Sequence, residues 1–338
     1  MTKSAESSID PKLIQGVEII TLQLGNLQHD ESVLIISDNE TAVIGNYFEK
    51  ILNAKEYSVT HVTIQPLKSH GESLPKSVSN LMNSSDLIIG LTKNSMAHSK
   101  ERIESEKFGS RYLSLPDYSE FVLQHPSLRV NFKKLAKNAF RLSEKLSKAK
   151  TIKIKTESGT DMELVVSGRK GNSAPGYVNS DIKLGSPPDI ECNIAPIEDK
   201  SNGIIVVDGS IPYPKIGLLK SKIILKIRDG KINDISGEES VVQKISNILG
   251  LKSNSVFLGE FGIGLNNKAE LTGKMLLDEG CLGTIHFGFG SNIALGGTIE
   301  TNYHLDFVLN STNCIFDEEK IEFQKLMCFN EPIILVFS

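Results

Sequence analysis

Val33-Leu34-Ile35-Ile36, running into Asp38 and then into a helical stretch from Thr41 to Leu52, decides the fold. An unbroken apolar run bounded by polar residues describes a strand buried on both faces, as in a parallel sheet covered by helices. The same grammar repeats outward from it. Upstream, Pro11 to about Leu22 reads as a first helix. Downstream come a strand from Ser58 to Ile64, a short helix near Lys76 to Met82, and the buried strand Leu87-Ile88-Ile89-Gly90-Leu91. Such an alternation predicts a parallel sheet and its helices.

The period changes farther along. Phe132, Leu135, Ala139, Leu142 and Leu146 recur at spacings of three and four with lysines between them, an amphipathic helix from Phe132 to about Leu146. After the polar run Ser147-Lys148-Ala149-Lys150 the period becomes two, with Ile152 and Ile154 set against Lys153 and Lys155, a turn at Ser158-Gly159-Thr160-Asp161, and a return strand from Met162 to Val166. A second hairpin is stronger, because Ile223 to Ile227 and Ile232 to Ile235 flank Asp229-Gly230, a pair that accepts the positive φ angles of a tight turn. A short helix follows near Val241 to Leu249. The expected class is α/β: an N-terminal parallel α/β domain over residues 1–148, then a mainly antiparallel β (α+β) domain over 149–338 that carries the functional residues. Two domains suit a chain of 338 residues, since single cores stop growing near about 250–300.

Composition narrows the function classes. Lys+Arg of 37 against Asp+Glu of 41 gives a net charge of -4, so no strong field draws the chain to nucleic acid or to an anionic membrane, and a small or weakly charged substrate fits better. The start, MTKSAESSIDPK, lacks a basic-then-apolar leader, and no apolar run approaches the roughly 20 residues that span a bilayer, so a cytoplasmic protein is expected. Cys192, Cys281, Cys314 and Cys328 form no CxxC pair and read as reduced core residues.

Chemistry concentrates in the last third. In Tyr303-His304-Leu305-Asp306-Phe307, an extended strand points His304 and Asp306 to one face and Leu305 and Phe307 to the other, so the pair can reach one ion. His286 lies on the apolar strand Thr284 to Phe287, where a hydrogen-bonded core histidine is the plain alternative. Glu260 is expected just beyond a strand from Val256 to Leu258, facing a cleft or exposed in a loop, and Glu191 in Asp189-Ile190-Glu191-Cys192-Asn193 carries the same two readings. The glycines of 283–297 lack the GxGxxG spacing, no phosphate-cradling GxxxxGK[ST] is present, and no GxSxG elbow supports a serine hydrolase. Thr92 to His98 follows a buried strand at the edge where α/β sheets bind ligands, and is expected to be a strand-to-helix loop capped by Ser95.

Taken in order and in context, Glu191, Glu260, His286, His304 and Asp306 resemble the metallo-aminopeptidase family that includes aminopeptidase T. Ile190-Glu191-Cys192-Asn193-Ile194-Ala195-Pro196 resembles the family segment in which a metal-binding glutamate precedes Ala-Pro. Leu258-Gly259-Glu260 resembles that of the second glutamate. Thr284 to Gly290 looks like its first histidine strand and His304-Leu305-Asp306 like its closing H-x-D, while Ser85 to Ile89 and Thr92 to Arg102 extend the likeness into the first domain. The family's tyrosine shortly after the first histidine is missing, since that region reads Ser291-Asn292-Ile293-Ala294. The chain is also similar to iron-dependent dioxygenases that open dihydroxypyridine rings, for which His286, His304 and Asp306 would be the facial triad.

The first resemblance implies a hydrolase acting on peptides: one or two divalent ions (zinc, cobalt or manganese) held by all five side chains activate water, with Glu260 bridging and Glu191 a ligand or general base. It also implies a homodimer with a cavity between the domains. The second implies an iron(II) ring-cleaving dioxygenase. A non-catalytic metal-dependent binding protein is the remaining expectation.

Overall fold

The computed structural model describes residues 9–251, 256–311, 313–323 and 325. Cys328 and residues 1–8 of the start, on which the expectation of no leader rests, lie outside the described residues. By contact the chain forms two compact units, one of the residues up to Val130 together with Pro175–Asp189, the other of Asn131–Ala174 and the chain from Ile190. This division differs from a single cut at 148: the amphipathic helix belongs with the second unit, and a segment from mid-chain returns to the first.

The first unit holds a parallel sheet. With strands numbered in chain order, β1 (Ser32–Asp38), β2 (Ser58–Ile64), β3 (Leu87–Leu91), β4 (Arg111–Ser114) and β8 (Leu184–Gly185) lie in the order β2-β1-β3-β4-β8. Its helices are α1 (Pro11–Glu18), α2 (Ala42–Ala54), α3 (Lys76–Asn83), α4 (Lys100–Lys107) and α5 (Glu120–Gln124). Asp10 caps α1 by accepting the Lys12 N–H, and Pro11 supplies the preset φ of a first helical residue. Beyond Glu18 the helix widens into π-helical turns from Ile19 to Leu24. Leu34, Ile36, Ile88, Met82 and Met96 pack in one buried cluster with Tyr112.

Two polar devices lock this unit. The buried Asp38 accepts from the hydroxyl of Thr41 at 2.9 Å and from the Lys93 N–H at 2.6 Å, tying the ends of β1 and β3. Ser37, His61 and Glu49 form a hydrogen-bonded line, Oγ to Nε2 at 2.9 Å and Nδ1 to Oε2 at 2.9 Å, pinning α2 to β1 and β2. Ser37 is fully buried, so the line is a structural one and not a hydrolase triad open to substrate. Ser99, not Ser95, caps the helix after Thr92–His98, accepting from Arg102 N–H at 3.2 Å, while Ser95 pairs with Ser114 across the loop at 3.1 Å.

The second unit contains two seven-stranded antiparallel sheets. One comprises β5 (Thr151–Lys155), β6 (Asp161–Val165), β10 (Asn202–Val207), β13 (Ile223–Arg228), β14 (Lys231–Ser236), β18 (Asn313–Phe316) and β19 (Glu319–Glu322) in the order β14-β13-β10-β6-β5-β18-β19. Both expected hairpins are present in it, and Asp229 and Gly230 turn with φ of 50° and 69°. The other comprises β7 (Asn172–Ala174), β9 (Glu191–Ile194), β11 (Ser210–Ile211), β12 (Gly217–Leu218), β15 (Leu258–Gly264), β16 (Thr284–Gly290) and β17 (His304–Asn310) in the order β12-β11-β17-β16-β15-β9-β7. The amphipathic α6 (Phe132–Lys148) packs its buried Leu135, Ala139 and Leu142 along the β7 and β9 edge of this sheet. Helices α7 (Glu239–Leu249) and α8 (Met275–Asp278) complete the described elements. Cys192, Cys281 and Cys314 are buried free thiols. Among the described residues no helix is long and apolar enough to cross a membrane.

Candidate metal centre

The centre is built on four adjacent strands, β9, β15, β16 and β17, each of which contributes to it. Along β15 and β16 the sequence alternates a polar residue, a large apolar residue and glycine: Glu260-Phe261-Gly262-Ile263-Gly264 and His286-Phe287-Gly288-Phe289-Gly290. Strand alternation sends Phe261, Phe287, Phe289 and, on β17, Phe307 to the back face. There they are fully buried, with ring centroids 5.6 Å apart for Phe261 and Phe287 and 5.4 Å for Phe289 and Phe307. Each such ring contributes about 2–3 kcal/mol of burial, so the back face holds the front in place. The front face carries the five candidate side chains, with Gly262, Gly264, Gly288 and Gly290 among them.

The glycines make the room. Gly262 pairs with His286 on one side and Asn193 on the other, and a Cβ there would fall 2.1 Å from His286 Nε2. Gly288 pairs with Glu260 and Asp306, and a Cβ there would fall 2.5 Å from His304 Nε2 and 2.8 Å from Asp306 Oδ1. Glu260 lies within β15, not beyond the strand as its sequence context predicts, because the register shifts between Leu258 and Glu260 and carries the strand past Gly259.

All five expected residues come together. His286 Nε2 lies 3.2 Å from Glu191 Oε2 and 3.8 Å from Glu260 Oε1, while His304 Nε2 lies 3.1 Å from Glu260 Oε2 and 3.1 Å from Asp306 Oδ1. They form two sets whose ligand atoms lie within 4.8 Å of one another, Glu191 with Glu260 and His286, and Glu260 with His304 and Asp306. Glu260 belongs to both sets, one oxygen turned toward each imidazole. The triad His286, His304 and Asp306 is not itself one of these sets, because the two imidazoles stand on opposite sides of Glu260.

Burial makes the charges consequential. Glu191, Glu260, His286 and Asp306 are 2–8 % exposed, where an uncompensated carboxylate is costly. Burial pushes Glu191 up to about 7, against the pull of His286. For His286, burial opposes the charged ring, but Glu191 and Glu260 outweigh it and lift it to about 9. His304 is likewise raised well above the usual range, Asp306 and Glu260 overcoming its burial. Glu260 is held below the ordinary carboxylate range, its burial being outweighed by both imidazoles. Glu191 Oε2 and His286 Nδ1 are buried without a hydrogen-bond partner. Three carboxylates facing two imidazoles, with such orphaned atoms, are the donor chemistry a divalent cation satisfies.

Two supporting groups were not legible in the sequence. Asn193, on the same face as Glu191, donates from Nδ2 to Glu191 Oε1 at 2.7 Å. The backbone carbonyl of Ser291 accepts from His304 Nδ1 at 2.9 Å, which leaves Nε2 to face the carboxylates. A carbonyl has no signature in sequence, whereas the polar-large-glycine alternation was a signal available in plain view.

Two solved structures share this fold. The 2,5-dihydroxypyridine dioxygenase from Pseudomonas putida KT2440 is similar at a TM-score of 0.74 with 19% identity, covering 92% of this chain and 95% of that one. Wild-type AmpT from Thermus thermophilus is similar at 0.64 with 12% identity, covering 92% and 97%. No curated protein matches. The sequence model that matches, over residues 17–324, is that of NicX, 2,5-dihydroxypyridine 5,6-dioxygenase. That match overturns the metallo-aminopeptidase expectation and the hydrolase and protease chemistry attached to it; the likeness to AmpT is one of fold. Both solved structures are similar to this chain in fold, so the fold itself does not separate the two resemblances. With nearly its whole length matched, the chain belongs to the NicX, 2,5-dihydroxypyridine 5,6-dioxygenase, family.

Proposed function

We propose that this protein is a metal-dependent dioxygenase that opens the ring of a dihydroxypyridine-type substrate. The observation that carries the reading is the pair of acid and imidazole sets sharing Glu260, in a chain matched by that family over residues 17–324. Glu260, His304 and Asp306 would hold the cation, and Glu191 and His286 complete the cluster. Imidazole with carboxylates suits iron(II) first, and manganese or zinc as substitutes. Bound there, iron(II) supplies a Lewis acid and a redox centre for dioxygen chemistry.

The chain's own residues do the rest. His304 is the most open of the five, with 28% of its side chain exposed, so substrate meets the cluster from its side. Ser291 holds the Nδ1 proton of His304 in place. Glu191, lifted by burial to about 7, is set to accept a proton from a ring hydroxyl near neutral pH and to return it. Asn193 keeps that carboxylate oriented at 2.7 Å. Gly262 and Gly288 leave the room that the imidazoles of His286 and His304 occupy.

The test is oxygen consumption with 2,5-dihydroxypyridine by anaerobically purified, iron-loaded protein, alongside His304→Ala and a metal-stripped sample. Loss of the ring absorbance with matching oxygen uptake in the wild type, absent from the other two, is expected. Unchanged turnover in the metal-stripped sample, or none in the iron-loaded wild type, overturns the reading.

A further inference from the structure

The connection from β16 to β17, residues 291–303, alternates exposed and half-buried residues, and Asn292 is its one buried residue. That residue organises the whole segment. Its Oδ1 accepts the Ile299 N–H at 2.7 Å, its carbonyl accepts the Gly297 N–H at 2.9 Å, and its Nδ2 donates to Glu198 Oε1 at 3.3 Å. The Thr298 N–H donates to the same glutamate oxygen at 2.8 Å. Arg169 pairs with the other oxygen of Glu198 and donates from Nη1 to the Gly296 carbonyl at 2.6 Å. Gly297 has to be glycine, since a Cβ would fall 2.1 Å from Asn292 Cγ. The segment is thus clamped to residues that precede β7 and follow β9, although its own apolar contribution is small: Ile293 is 51% exposed.

The clamp delivers one atom to the metal centre. Ser291, held by its N–H to the Tyr303 carbonyl at 3.0 Å, presents its own carbonyl to His304 Nδ1 at 2.9 Å. A carbonyl only accepts, so Nδ1 carries a hydrogen, and it is Nε2 that faces Glu260 and Asp306 and would turn its lone pair to a bound cation. We propose that Asn292, Glu198 and Arg169 are positioning residues that act through the Ser291 carbonyl to fix the tautomer and aim of His304 as a ligand. The inference rests on the metal reading above and extends it to residues that touch neither cation nor substrate.

A clamp that merely tidied the loop would alter thermal stability and leave ligand chemistry alone. The deciding measurements are therefore zinc affinity by chelator competition in the full-length protein, and the ring-nitrogen resonances of His304 in the zinc-loaded state, assigned with His304→Ala. Asn292→Ala is expected to weaken zinc by about 10–100-fold, the range for loss of a partner behind a ligand. Arg169→Ala should weaken it in the same direction, and wild-type His304 should carry its hydrogen on Nδ1. Zinc affinity within about twofold of wild type in both variants, or a wild-type His304 protonated on Nε2, overturns the proposal. Should Asn292→Ala not fold, Arg169→Ala and the wild-type resonances still decide. A wild type that binds neither zinc nor iron(II) sinks the metal reading and this inference together, an outcome distinct from a binding wild type with indifferent variants.

Discussion

Replacing Gly288 with alanine puts the architecture of the centre to a quantitative test. The added Cβ would lie 2.5 Å from His304 Nε2 and 2.8 Å from both His304 Cε1 and Asp306 Oδ1, where ordinary contacts begin at 3.4 Å. The imidazole must therefore retreat by about 1 Å, several times the ~0.2 Å tolerance of a ligand distance. Gly288 does not need a positive φ, so alanine recovers about 0.5–1 kcal/mol through the unfolded chain. Overpacking costs about 1–3 kcal/mol. The net effect on stability runs from none to a loss of about 2.5 kcal/mol, at most about 10 °C in Tm on the scale of ~2–4 °C per kcal/mol. Cation affinity should fall as well, by about 100-fold or ~2.7 kcal/mol, because the methyl group sits among the donor atoms. Gly283→Ala is the matched control. Its φ of +98° strains a side chain, yet nothing lies within 4 Å, so it should lower Tm and leave the cation bound. Chelator competition and thermal unfolding on both variants separate the two effects. Wild-type affinity in Gly288→Ala would place the cation elsewhere.

Three further outcomes follow from the same structure. Glu260→Gln touches both acid and imidazole sets, whereas Glu191→Gln touches one; metal content by elemental analysis should fall further in the former, and equal losses would count against a shared ligand. Gly45→Ala adds a Cβ 2.6 Å from His61 Nε2 and 3.2 Å from Ser37 Cβ. Its gain in helix propensity, ~1 kcal/mol, is outweighed by crowding a ring held by two hydrogen bonds, so urea unfolding should show a net loss of about 1–2 kcal/mol; a stabilised variant refutes this. Glu31 is partly buried, which raises its pKa, but the forked hydrogen bonds from Arg111 at 2.8 and 2.6 Å outweigh burial and hold it below the ordinary 4.5. A lowered pKa gives stability that is complete above about pH 4.5 and is lost as acid protonates the folded state. Glu31→Gln should thus cost about 1–3 kcal/mol at pH 7, with the gap to wild type narrowing below pH 4.5, and a gap independent of pH would refute the assignment.

Much of the fold was legible because its strongest elements are locally self-consistent. The runs 58–64 and 87–91 are strands at the expected bounds, and Asp229-Gly230 is a turn because its backbone demands positive φ. What escaped are elements whose identity comes from neighbours. β4 and β8 are short, four and two residues, and are strands only because β3 offers an edge to β4 and β4 in turn offers one to β8. The return of Pro175–Asp189 to the first unit has no local mark at all. The five candidate residues named from the sequence lie close together, but Glu260 was placed beyond its strand because glycines at 259, 262 and 264 read as loop. On this sheet they are the opposite of a breaker: each leaves a space that an adjoining imidazole or backbone carbonyl fills.

The distribution of these glycines also bears on why one fold accommodates different chemistry. The dioxygenase and AmpT structures are both similar to this chain in fold, so topology cannot discriminate between their activities. What the sheet fixes is placement: Glu260, His286 and Asp306 sit within strands backed by fully buried phenylalanines, and Glu191 on the neighbouring β9, where a shift of one residue would send each side chain to the wrong face. His304 differs. It is the most exposed of the five, and its Nδ1 is held by a carbonyl of the segment 291–303. On the proposed metal reading, the strands would set where a cation sits, and the segment 291–303 would set how one ligand addresses it. Substitution within the strands should destroy the centre, whereas substitution in the segment should tune it, a graded response that only a ligand held from outside the sheet can give.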